Sequence, residues 1–209
     1  MKAQTKETQA AITPASALEM LKEGNRRFQE NRKEDRNLME QVKETSTGQY
    51  PFATILSCID SRVSAELIFD QGIGDVFSAR VAGNFVNKDI LGSMEFACKL
   101  AGTKLIVVLG HTSCGAIKGA CDHARMGNLT ALIKKIEPAV AAVQEPKEEN
   151  LRNSKNLAFV DEVSEANVNM NIENIRQRSK ILADMETYGE IKIIGAMYDI
   201  STGMVSFYE

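Results

Sequence analysis

Two stretches of the chain, PFATILSC (51–58) and KLIVVLGH (104–111), are apolar on both faces over the length of a strand. A strand with one wet face alternates polar and apolar residues. A strand apolar throughout has to be covered on both sides, which is the condition of a parallel sheet packed between layers of helix. DVFSARV (75–81) is a shorter strand candidate, and KDILGSMEFACKLAG (88–102) has helical spacing with a glycine stop, placed between two strands as a crossover requires. EIKIIGAMYDI, then Ser-Thr-Gly, then MVSFYE predicts a closing strand and hairpin. The fold class is therefore α/β, a parallel-rich sheet flanked by helices.

At 209 residues the chain has room for one such domain with a substantial core. Thr13-Pro14 followed by Leu18, Leu21 and Phe28 reads as a capped amphipathic helix with proline at its first position. Residues 31–48 are mostly polar. The division expected is an N-terminal helical arm over 1–50, packing on a partner subunit, and an α/β core over 51–209. CGAIKGACDHARMG (114–127) and LTALIKKIEPAVAAV (129–143) read as helices, the second kinked or divided at Pro138, and one long helix is expected over 160–187.

Charged residues make up 25% of the chain and the net charge is −3, with acids and bases interspersed. That distribution offers no electrostatic footprint for nucleic acid or an anionic membrane surface. No apolar run approaches the roughly 18 residues of a membrane span. The polar start, MKAQTKETQAAITP, lacks a hydrophobic signal region, so the expected compartment is the cytoplasm, or the periplasm where a signal peptide has been removed. Four cysteines spread over this length suit reduced thiols or metal ligands better than a disulfide framework.

Both apolar runs end in chemistry. Cys58 closes the first, with Asp60 and Arg62 just beyond it; His111 closes the second, with Cys114 in the next turn. In open parallel sheets ligands collect outside the carboxyl ends of strands. If the two strands are neighbours, two thiolates and an imidazole converge, a set that suits tetrahedral zinc with a fourth position open. Asp60 is close enough to fill that position, and the planar fork of Arg62 can compete for the carboxylate. Taken singly, each residue has a plainer reading. A cysteine at a strand end is ordinarily core, as expected for Cys98 and Cys121 on helical stretches. Asp-Ser-Arg after a strand can be a helix cap with a surface ion pair, and His123 reads as solvated.

The combination C-x-D-S-R (Cys58, Asp60, Ser61, Arg62) with H-x-x-C (His111, Cys114) and ARVAGN (79–84) resembles the β-class carbonic anhydrases, over residues 13–208 and most densely over 49–120. The resemblance implies one zinc per chain on Cys58, His111 and Cys114, with Asp60 as fourth ligand in a closed state, and an Asp60–Arg62 dyad that frees the metal for reversible hydration of carbon dioxide to bicarbonate. It also implies homodimers or tetramers built as dimers of dimers, with N-terminal helices that clasp the neighbour. The family's pocket positions fall on Gln49, Phe77, Phe96 and Gly83; Phe96 stands where plant-like members carry tyrosine. Some members have a tryptophan three residues before the first ligand cysteine, forming a bicarbonate switch. Here that position is Ile55, although Arg80 matches another part of the switch, so no such switch is expected. Carbon disulfide and carbonyl sulfide hydrolases share the ligand set and are the nearest alternative; a noncatalytic module with closed zinc is a more distant one.

Overall fold

A computed structural model describes residues 2–208. Its centre is a five-stranded sheet in the order β2-β1-β3-β4-β5, made of β1 (Ala53–Ser57), β2 (Val76–Arg80), β3 (Leu105–His111), β4 (Lys192–Tyr198) and β5 (Val205–Tyr208). The first four strands run parallel and β5 closes the edge antiparallel to β4. Every residue of β1 and β3 is buried, as strands covered on both faces must be.

The two faces of β3 feed two cores. Leu105, Val107 and Leu109 pack with Ala17, Leu18 and Leu21 of helix α2 (Pro14–Gln29) and with α4 (Ala65–Ile68). Ile106 and Val108 pack with Val168, Ile172 and Ile175 of α9 (Leu157–Arg178) and Leu182 of α10 (Lys180–Thr187). This alternation is the period of two expected of a strand. A third cluster, which includes Cys58 and Cys114, caps the strand ends beneath α6 (Gly115–Cys121), α7 (Gly127–Ile133) and α8 (Glu137–Ala142).

Strand order sets the site. The chain leaves β1 toward β2 on one side, then returns through α5 (Lys88–Glu95) to β3 on the other. The carboxyl ends of β1 and β3 thus form the switch point where the crossovers diverge, the crevice in which such sheets bind ligands.

Several helices differ from expectation. The span 160–187 holds two helices, because Ser179 caps the second through its own hydroxyl and donates that hydroxyl to Glu95 at 2.6 Å. The helix over 114–127 stops at Cys121, after which His123 adopts a left-handed backbone. Pro138 opens α8 and divides it from α7. The crossover helix widens into a π turn over Phe96–Leu100 before Gly102 ends it. A first helix, α1 (Lys6–Ala11), was not expected; Gln9 pins it by donating to the carbonyls of Pro51 and Ala101.

Helix α2 lies on the sheet of its own chain, where its apolar face completes the core. Arg27 in its last turn and Arg36 beyond it converge on buried Asp70, and α3 (Leu38–Thr45) presents Leu38, Met39 and Val42 to the outside. No helix among the described residues is long and apolar enough to cross a membrane.

Candidate metal centre and active site

Cys58 follows the last residue of β1, and His111 is the last of β3, in the adjacent strand. Between His111 and Cys114 the chain turns through Ser113 in a left-handed conformation, with the Ser113 N–H donating to Asp161 at 2.7 Å. That turn brings Cys114 back beneath the strand ends, where it opens α6. The donor atoms of Cys58, His111 and Cys114 lie within 4.8 Å of one another, and all three residues are buried.

Their geometry fits a tetrahedral zinc. Zinc–sulfur bonds of about 2.3 Å at tetrahedral angles put two sulfurs about 3.8 Å apart, and the two Sγ atoms are 3.9 Å apart. His111 Nδ1 lies 3.0 Å from the Thr112 carbonyl, to which it donates, so the proton sits on Nδ1. Nε2, buried and without a hydrogen-bond partner, is left with a free lone pair. An orphaned buried nitrogen is costly unless a ligand satisfies it. The thiols are electrostatically uneven: the Cys114 thiol lowers the pKa of Cys58, burial opposes this, and His111 and the Gly83 N–H reinforce it. Cys114 is raised, by Cys58 and by burial. Each sulfur thus disfavours a second negative charge beside it, and two thiolates together require a positive charge next to them. Together these features match a zinc centre with one ion per chain.

Asp60 stands outside this donor group. Arg62 donates from Nε to Oδ1 at 3.0 Å and from Nη2 to Oδ2 at 2.8 Å, and its main-chain N–H adds a third bond to Oδ1 at 3.0 Å. The side-chain hydrogen bonds from Arg62 hold the Asp60 carboxyl far below the ordinary carboxylate range, so it is ionised throughout the neutral range. Arg80, considered from sequence only as a relic of a switch, donates to the carbonyls of Cys58 (2.9 Å) and Asp60 (2.7 Å) and so ties down the turn between them.

The expected pocket residues divide. Gly83 lies against the metal donors, with its N–H 3.4 Å from Cys58 Sγ. Its φ of +77° lies in the left-handed region that favours glycine, and a Cβ there would also displace the Ile136 Cδ1, 2.4 Å away. Phe77 and Phe96 meet edge to face at 6.2 Å and line a cavity of about 520 Å³ with Thr54, Ala79 and Ile90, which includes none of the metal donors. Phe77 pairs with Thr54, three register steps before the Ser57–Arg80 pair, or about 10 Å down the strand at 3.3 Å per residue. Gln49 is exposed in the loop before β1. Within one chain, therefore, the aromatic pair and the metal donors are separate.

Ile55 is fully buried beneath α2. Cys98 and Cys121 are core thiols, each pushed up to about 11, chiefly by burial. His123 is exposed, with Nδ1 3.4 Å from Glu137.

Residues 53–205 match the family model described as carbonic anhydrase. Carbonic anhydrase 2 of Mycobacterium tuberculosis is 34% identical over 196 residues, covering 91% of this chain and 90% of its own. A carbonic anhydrase of Mycolicibacterium smegmatis is 33% identical over 198 residues, covering 92% of each chain. Among solved structures, a Coccomyxa β-carbonic anhydrase in complex with acetazolamide superposes with a TM-score of 0.69 at 24% identity, covering 88% of this chain and 83% of that one.

Proposed function

Since the chain belongs to the β class of the carbonic anhydrase family, we propose that it interconverts carbon dioxide and bicarbonate at the Cys58–His111–Cys114 centre. The observation that carries this reading is the arrangement of Asp60. Its two oxygens are turned to Arg62 while the three donors converge without it, leaving a fourth position for water. Cys58, Cys114 and His111 Nε2 would hold the zinc, which when bound would lower the pKa of a water from about 15.7 in bulk to near 7.

The protein's own groups do the rest. Asp60 accepts a hydrogen bond from the attacking water and turns a lone pair toward the substrate. Arg62 keeps that carboxylate ionised and off the metal. Carbon dioxide is small and apolar, and an aromatic wall holds it without strong polar contacts. Because Phe77 and Phe96 lie apart from the donors of their own chain, we assign that wall to a second copy of the chain, in a homodimer that pairs further into a tetramer. Gln49 then donates to the substrate oxygen as charge develops on it. The exposed apolar residues Leu38, Met39, Val42, Phe96 and Leu100 supply the surface for that association. Four unpaired, buried cysteines suit a reducing compartment, and we place the protein in the cytoplasm.

Stopped-flow hydration by zinc-loaded and metal-stripped protein tests the reading, with carbon disulfide offered in parallel. Hydration confined to the zinc form is the expected result. Turnover of carbon disulfide alone would transfer the site to the hydrolase reading.

A further inference from the structure

Helix α9 carries a polar stripe where it meets the strand ends. Ser164, Asn167 and Asn171 are all buried, with Asn167 only 1% exposed. Buried amides are costly unless each of their groups is satisfied, and here the partners form a directed chain. The Val86 N–H donates to Asn171 Oδ1 at 2.8 Å. That contact turns the Asn171 amino group to Asn167, where it donates to Oδ1 at 3.1 Å and to the main-chain carbonyl at 2.8 Å. With its own oxygen so used, Asn167 presents Nδ2 to the Gly83 carbonyl at 2.9 Å. The main chain thus dictates both amide orientations: a donor at Val86 at one end and an acceptor at Gly83 at the other.

The segment so held, 83–86, reaches the metal centre. The Gly83 N–H points at Cys58 Sγ, 3.4 Å away. An N–H bonded to a thiolate draws charge from the sulfur and so reduces what the sulfur gives a bound metal; such outer contacts also orient the ligand.

We propose that Asn167 and Asn171 are positioning residues for the metal: by fixing residues 83–86 they hold the Gly83 N–H on the Cys58 sulfur and set the electron donation of that ligand. This deepens the zinc reading and rests on it, but not on turnover.

The test uses the full chain with cadmium-113 in place of zinc and nitrogen-15 labelling. A scalar coupling between the cadmium nucleus and the Gly83 amide proton, transmitted through the Cys58 sulfur, is expected in the wild type. Its absence overturns the proposal, whether or not the protein hydrates carbon dioxide. Cobalt-loaded Asn167→Ala should then show its thiolate-to-cobalt charge-transfer band moved to lower energy, as the sulfur regains the charge that the N–H draws off. Ser164→Ala is the control, since that hydroxyl donates only to Val160 of its own helix and its removal should leave both readouts in place. A wild-type band in Asn167→Ala, with stability lost to a similar degree in both variants, would reduce the ladder to packing. If Asn167→Ala does not fold, the wild-type coupling decides alone.

Discussion

Replacing Asp70 by asparagine removes one charge and almost no volume. Its carboxylate is nearly buried and accepts from Arg27 Nε at 2.6 Å, Arg36 Nη1 at 2.5 Å and the Glu34 N–H at 3.1 Å. Arg36 also donates to the Asp70 carbonyl, and its side chain is only 7% exposed. The backbone at Asp70 is left-handed, with φ of +45°, a conformation asparagine tolerates well, so the substitution isolates the charge. Deleting one partner of a buried ion pair costs about 3–5 kcal/mol, because the other charge stays buried. For a chain of this size that corresponds to a fall in Tm of about 6–20 °C. Burial pushes the Asp70 pKa up, but Arg27, the Glu34 N–H and Arg36 outweigh it and the net shift is downward. The stabilisation is therefore complete above the unfolded value of about 3.9 and is lost as pH falls through the lower folded value. Urea unfolding of zinc-loaded protein at fixed concentration, from pH 7 to pH 3, is the assay, with Arg36→Met completing a double-mutant cycle. A loss under about 1 kcal/mol at pH 7, or an unchanged acid limb in Asp70→Asn, would refute the buried clasp.

Cys58→Ser and His111→Asn should each lose zinc, measured by metal analysis, and with it both hydration and several degrees of Tm, since metal binding is coupled to folding. Asp60→Asn should keep its zinc yet lose about 10–100-fold in kcat/KM; full activity with zinc retained would contradict the role assigned to Asp60. In the wild type kcat/KM should rise sigmoidally with pH as the attacking water loses its proton, because Asp60, held low by Arg62, does not titrate in that range. Inactive Cys58→Ser chains mixed and reassociated with inactive Phe77→Ala chains should regain about a quarter of wild-type activity, since half the dimers would be mixed and each would hold one intact site. No recovery would place the aromatic wall elsewhere.

What was legible in the sequence was local. Runs apolar on both faces announced β1 and β3, and chemistry at their last residues located the site before any neighbour was known. Arg62 lies two residues from Asp60, so their pairing needed only a turn. The rest depended on partners far along the chain. The break at Ser179 depends on Glu95, 84 residues away, and periodicity alone reads through it. Helix α1 is held by Gln9 reaching Ala101, 92 residues on. Asn167 and Asn171 would pass for surface residues of a long helix until Gly83 and Val86 are placed beside them. Phe77 and Phe96 are expected as walls of the site, but strand register sets Phe77, and with it the Phe96 ring packed against it, apart from the donors of their own chain.

The most direct measurement of the central claim is the loss of oxygen-18 label from carbon dioxide to water at chemical equilibrium, followed by mass spectrometry on protein of known zinc content. That exchange reports the interconversion itself, apart from the release of protons to buffer. The expected result is depletion that scales with zinc up to one ion per chain and vanishes when the metal is stripped. Depletion at the uncatalysed rate, with one zinc bound per chain, would contradict it.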